Sequence, residues 1–296
     1  MTNLRSCVLA ILVCLFPVLG TAQIQPANLA GIAHVAFRVS DLTRSRIFYQ
    51  KLGFQQAFVT TKDGKITESF FKVNDRQFIE IYPQQDPSQS IGFMHVCFEA
   101  TDLEALNRAY LGRSLTPTPV KRAGAGNLLF TMVGPEDQNI EYTQYMPGSL
   151  HTKDQGLHLG EDRISKEIVG ISLSVEDPVA ARAFYQQKLG FHESLHPLDP
   201  GLIPLLLPGS SNQMVEITPN VFQLLFSVPS LRHAASQLQD KNFQVEKQGD
   251  MLTVKDPDGN RIVFADVEAE TGRRLLQMPK LPKMPKLPKL SWPGKP

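Results

Sequence analysis

The segment HVAFRVSDLTRSRIFYQKLGF, which begins at His34, returns as GISLSVEDPVAARAFYQQKLGF from Gly170. Asp41 matches Asp177, Tyr49 matches Tyr185, and both copies close on Lys-Leu-Gly-Phe. Farther on, Phe78-Ile79-Glu80-Ile81 answers Met214-Val215-Glu216-Ile217 at the same offset of 136. Each half is itself double. A shift of 61 carries His34 onto His95, Asp41 onto Asp102, Tyr49 onto Tyr110 and Glu80 onto Glu141. Four related units between residues 31 and 268 leave room for two homologous domains and little else.

One unit reads directly. Residues 32–39 alternate as a strand, with Val35, Phe37 and Val39 on one face. Asp41 caps a helix over Leu42–Leu52, in which Ile47, Phe48 and Leu52 fall at helical spacing, and Gly53 ends it. Turn signals at Asp63-Gly64 and Asn74-Asp75 separate the short strands that follow. The unit is βαβββ and the fold class α+β, with domains at 31–146 and 168–268 and a polar linker at 147–167.

The strand, the capped helix ending in FYxxxLGF, the hairpins and the Asp-Pro-Asp-Gly-Asn turn at Asp256–Asn260 resemble the vicinal oxygen chelate superfamily. That group includes glyoxalase I, extradiol dioxygenases, methylmalonyl-CoA epimerase and bleomycin-resistance proteins. The resemblance implies that paired units join their sheets into a cup holding a metal, with ligands from the first and last strands of each unit. In the first domain those places hold His34, Glu80, His95 and Glu141; in the second, Gly170, Glu216, Gln223 and Val263. Glycine and valine cannot coordinate through side chains, so one divalent ion (Ni, Co, Fe, Mn or Zn) is expected in the first domain and none in the second. The two-domain extradiol dioxygenases carry their metal in the C-terminal domain, which counts against their activity.

By the same resemblance the four-ligand site implies a lyase or isomerase of glyoxalase or epimerase type. A chelated vicinal-oxygen substrate would pass through an enediolate, with Glu141 or Glu80 moving the proton. A rival is a two-histidine, one-carboxylate iron oxygenase of His34, His95 and Glu141, with Glu80 a bystander. A third reading is a binder that sequesters a small molecule without turnover. Arg38 and Tyr82 are candidates for holding substrate, Arg38 as an anion anchor or as the salt-bridge partner of Glu99. Cys97 shares the side of His95 and reads as a small buried residue or a soft ligand. Gly124-Ala125-Gly126 reads as a turn, and His151 and His158 fall in the linker, where metal binding is not expected.

Arg5, an apolar run from Cys7 to Leu19 and Gly20-Thr21-Ala22 describe a signal peptide over 1–22, hence a periplasmic or extracellular protein. Cleavage leaves Cys97 alone, so no internal disulfide holds the fold, and no membrane span. A net charge of +1 gives no reason to expect nucleic acid. The tail, residues 278–296, places proline every third residue and carries five lysines. It is expected to be disordered or polyproline II, with a charge that suits an anionic envelope component.

Overall fold

A computed structural model describes residues 29–194, 202–210, 212–219 and 222–266. The expected signal peptide and the Pro/Lys tail lie outside the described residues. The first sheet is built from β1 (Leu29–Val39), β2 (Gln55–Lys62), β3 (Lys65–Lys72), β4 (Phe78–Pro83), β5 (Gly92–Ala100), β6 (Lys121–Arg122), β7 (Leu128–Val133) and β8 (Asn139–Gln144). Its order is β2-β3-β4-β1-β5-β8-β7-β6. Helix α1 (Leu42–Lys51) follows β1 and helix α2 (Leu103–Gly112) follows β5, so each half of the sheet is one βαβββ unit. The short helix α3 (Leu150–Lys153) comes after β8.

The second sheet repeats this plan with β9 (Glu167–Ser174), β10 (His192–Glu193), β11 (Ile203–Leu206), β12 (Met214–Thr218), β13 (Gln223–Ser227), β14 (Glu246–Gln248), β15 (Met251–Lys255) and β16 (Arg261–Ala265). Its order, β10-β11-β12-β9-β13-β16-β15-β14, is that of the first sheet strand for strand. Helices α4 (Pro178–Ala183) and α5 (Leu231–Asp240) take the places of α1 and α2. The two sheets are curled and mixed, in a tandem α+β arrangement as the repeats predict, and the first is a half-barrel.

Local chemistry explains the elements. The Asp41 carboxylate accepts from the Arg44 N–H at 3.0 Å, and Asp102 and Asp177 cap their helices likewise. Gly53 has φ +92°, and a Cβ there would lie 2.5 Å from the Asp162 carbonyl oxygen, so both conformation and close approach demand glycine. Val35, Phe37 and Val39 are fully buried, and they face the core under the helices. One sequence expectation changes. Ile47 is 58% exposed; α1 buries Ser45 and Tyr49 instead, with Leu52 in its cap. Tyr49 and Ser45 stand four apart on one face, and Ile47 between them points away.

The domains clasp each other by the same device used twice. The turn before β16 gives Asp258, whose carboxylate accepts from Ser40 N–H at 3.1 Å. The matching turn before β8 gives Glu136, whose carboxylate accepts from Glu176 N–H at 2.8 Å and Asp177 N–H at 2.9 Å. Tyr49 donates to Asp256 and Tyr185 to Gln138, so the tyrosine of each repeated helix reaches the other domain's turn. Between the clasps, Gln77 holds both the N–H and the carbonyl of Ile168, at 2.8 and 2.9 Å.

Candidate metal centre

Sheet register places the chemistry. On the concave face of the first sheet, His34 of β1 lies beside Cys97 of β5, and Cys97 beside Glu141 of β8. In the next row, Glu80 of β4 lies beside Ala36 of β1, and Ala36 beside His95 of β5. Side chains two apart on a strand share a face, so the two rows are adjacent. The four residues expected as ligands therefore stand at the corners of a staggered array. Ala36 and Cys97 are its floor.

The ligand atoms converge. His34 Nε2 lies 3.1 Å from His95 Nε2, 3.1 Å from Glu80 Oε2 and 3.5 Å from Glu141 Oε1. His95 Nε2 lies 3.5 Å from Glu80 Oε2. Burial holds the His34 imidazole well below its ordinary pKa and lowers that of His95, so both are neutral at pH 7, and it pushes the Glu80 carboxyl upward. Burial likewise raises Glu141, to about 7, against the opposing pull of His95. Glu80 Oε2 is buried and receives no hydrogen bond, and His34 Nδ1 has no partner either. Lone pairs of nitrogen and oxygen facing one another, with an orphaned carboxylate oxygen among them, fit a divalent cation and are hard to satisfy otherwise. The sets whose donor atoms lie within 4.8 Å of one another are His34–Glu80–His95 and His34–Cys97–Glu141. In the two-histidine set the grouped carboxylate is thus Glu80, the residue the oxygenase reading leaves as a bystander.

A cavity of about 250 Å³ opens over the array. His34, Glu80, Tyr82 and Glu141 line it, joined by Glu68, Phe70, Asn127 and His151. Tyr82 donates its hydroxyl to the Glu80 carboxyl, which steadies that carboxylate. Arg38 is not among the lining residues. Its guanidinium donates to the Ser90 carbonyl at 3.0 Å, and the partner of Glu99 is Arg76. The expected Arg38–Glu99 bridge fails because β1 and β5 run antiparallel: Arg38 sits opposite Gly92 and Glu99 opposite Gly31, at opposite ends of the pair. The cations that do border the cavity are Lys121 and Arg122, beside the Gly124-Ala125-Gly126 turn.

The segment expected to be a polar linker is folded against the cup. Ser149 caps α3, and Leu150 N–H donates to the Ala125 carbonyl at 2.9 Å. This puts His151 in the cavity wall, 4% exposed, stacked on Tyr145 and ringed by Phe58, Phe70 and Phe78. Asn127 settles its tautomer. The Asn127 carbonyl oxygen accepts from Met146 N–H, so its amide nitrogen donates to His151 Nδ1 at 2.8 Å, and the proton of the imidazole is on Nε2. Glu68, also missed, accepts from Thr60 at 3.0 Å, and burial raises its pKa. Alternation along β3 could have found Glu68 and Phe70. A four-residue helix carries no period that could have found His151.

The second cup is different. In register, Gly170 pairs with Met214 as His34 pairs with Phe78, and Gln223 and Val263 occupy the places of His95 and Glu141. A Cβ on Gly170 would meet the Met214 carbonyl oxygen at 2.7 Å, leaving no room for an imidazole. Leu225 and Val263 join Val169 and Met251 in an apolar cluster, and Glu216 accepts from the Ser172 hydroxyl at 2.6 Å. Among the described residues, groups of three metal-capable side chains occur in the first sheet alone.

The model of the Glyoxalase/Bleomycin resistance protein/Dioxygenase superfamily matches residues 31–112 and again residues 167–264. The chain is a member of that superfamily. Its fold is shared with solved members at low identity. The Mn(II)-bound glyoxalase from Novosphingobium aromaticivorans is 16% identical, with a TM-score of 0.61 over 82% of this chain and 85% of that one. The 2,3-dioxygenase LapB from Pseudomonas sp. KL28 is 16% identical, with a TM-score of 0.62 over 82% and 93%. A catechol 2,3-dioxygenase is 14% identical, with a TM-score of 0.61 over 81% and 88%. No curated protein matches the chain. Among the described residues no helix is long and apolar enough to cross a membrane.

Proposed function

We propose that this superfamily member is a metal-dependent lyase or isomerase acting on a small substrate with two vicinal oxygens, at a divalent ion held by His34, Glu80, His95 and Glu141. The observation that carries the reading is the convergence of two neutral imidazoles and two carboxylates, one with an orphaned oxygen, under a cavity of small-molecule size. A divalent ion bound there supplies the Lewis acidity that stabilises enediolate charge on a chelated substrate. The chain's residues divide the remaining work. Glu80 is tied by the Tyr82 hydroxyl, whereas Glu141 has the more exposed side chain of the two, so Glu141 is the carboxylate placed to swing toward substrate and carry the proton. His151 presents an uncharged Nε2–H donor in the wall. The aromatic ring around it excludes water from that side.

The test is solvent-deuterium incorporation at the carbon next to the carbonyl, with a panel of hydroxyketones and 2-ketoaldehyde adducts. Exchange that is abolished in Glu141→Gln and restored by no metal supports the reading; oxygen consumption in its place would shift it to the oxygenase. Such an oxygenase would take Glu80 in place of Glu141 as its one carboxylate, since the grouped two-histidine set is His34–Glu80–His95. An exported location is part of the proposal and rests on the charged start, apolar run and Gly20-Thr21-Ala22. Protein from the native host should then begin near Gln23, and full-length protein in the cytosol would refute export.

A further inference from the structure

We infer that Cys97 is a facultative ligand of this centre: a thiophilic divalent ion takes the His34–Cys97–Glu141 side of the array, whereas a hard ion such as Mn(II) takes His34–Glu80–His95. The inference rests on the metal-site reading and goes beyond it. Three observations carry it. The first is register: Cys97 stands between His34 and Glu141 in one row across three strands, directly under the point where the corner ligands converge. Distance is the second, since its sulfur, a His34 nitrogen and a Glu141 oxygen lie within 4.8 Å of one another. The third is contact. The Cys97 thiol, fully buried, faces the Glu141 carboxyl, while its own hydrogen bond runs to the Phe98 carbonyl at 3.9 Å.

The two sets share only His34 and differ in softness. Histidine, histidine and carboxylate suit ions of hard or borderline character, and adding a thiolate shifts preference toward Cd, Zn and Co. Coordination replaces the S–H bond with a sulfur–metal bond, and the proton is released to solvent, so that Glu141 stays an ionised ligand. No oxidant or reductant is needed. The second domain has leucine at this place, Leu225, and valine at the place of Glu141. The thiol is thus peculiar to the cup that keeps its imidazoles.

Co(II) reports on sulfur directly, because a thiolate ligand gives a charge-transfer band in the near ultraviolet beside the visible d–d bands. The full chain and its Cys97→Ser variant, with Cys7 and Cys14 left in place in both, should each bind Co(II). The charge-transfer band should appear only in the unaltered chain and persist in His95→Ala. Cd(II) should bind the unaltered chain about tenfold tighter than Cys97→Ser, while Mn(II) affinity changes by less than about twofold. Co(II) bound with d–d bands but no charge transfer would overturn the inference and leave the four-ligand site intact. A band that survives Cys97→Ser would overturn it as well. Failure of the unaltered chain to bind Co(II) would remove the site itself. Circular dichroism of Cys97→Ser and Cys97→Ala checks the fold, and either variant serves.

Discussion

An imidazole that water cannot reach stays neutral, and in this cup three of them do: His34, His95 and His151 are all held below their ordinary pKa, chiefly by burial. For the first two, neutrality is what a ligand needs. His95→Ala is therefore expected to lower bound Mn(II) at least tenfold, whereas Glu216→Ala, in the apolar cup, should leave it unchanged; elemental analysis of dialysed protein reads both, and tenfold is the low end of what losing even an outer-shell partner of a ligand costs. A Glu216 variant that emptied the protein of metal would move the site to the wrong domain. His151 makes a pH signature. Its pKa is pushed down to about 3 by burial and then by the Lys72 ammonium. A depressed folded-state value means that its contribution to stability is whole above the unfolded value, about 6.5, and is lost as pH falls toward about 3. The melting temperature of the unaltered chain should thus fall more steeply between those limits than that of His151→Phe, whose ring can sit among Phe58, Phe70 and Phe78. Parallel curves would show that His151 is protonated at no cost.

At the scale of elements, the wall formed by α3 is fastened by one ammonium. Lys72 of β3 is fully buried, and its Nζ lies 2.9 Å from Asp154 Oδ2 and 2.8 Å from Asp75 Oδ1. Asp154 is itself buried, and its other oxygen meets His158 Nδ1 at 2.5 Å. Removing the ammonium leaves the buried Asp154 with His158 alone to offset its charge, so Lys72→Met should cost about 3 kcal/mol in chemical denaturation and speed amide exchange in 150–153. Adding Asp154→Leu should recover much of that loss, because an apolar pair replaces an ionic one at little net cost. A double variant no more stable than the single one would put the fastening elsewhere. This segment also shows where sequence stops being informative. His34, Glu80, His95 and Glu141 could be named as candidates because the family resemblance says which strands carry ligands, and the duplication then fixes the spacing. His151, Asn127 and the Lys72–Asp154 pair answer no repeat and no period, and they meet across separations of 24 and 82 residues. Arg38 was placed on the right face and given the wrong partner, because alternation gives a side chain's face and only strand direction gives its neighbour. Cys97 was given its side by alternation, while its place between two ligands needed the register of β1, β5 and β8.

For the whole molecule, the duplicated halves are two domains by sequence and one body by packing. A single core of buried residues runs from Ile32 and Val35 in the first sheet to Ile262 and Phe264 in the second. Phe54 stacks on Phe226 with ring centres 5.3 Å apart, and Phe93 on Phe222 at 4.2 Å. Paired turns clasp both ends. Gln77 closes the middle, 3% exposed, and its amide satisfies both backbone groups of the fully buried Ile168. Neither half can open without exposing the other's aromatic rings, so unfolding should be a single transition by calorimetry and by circular dichroism alike. Gln77→Leu tests where the coupling resides. Leucine keeps the volume but offers no donor or acceptor, and two buried backbone groups of Ile168 lose their partners together, at a cost of about 3 kcal/mol. Because that loss falls on the shared core, the one transition should move down in temperature as a unit, with its steepness in denaturant unchanged. Two resolved transitions, one of them at the original temperature, would show instead that the second cup folds by itself and that the first leans on it without being held by it.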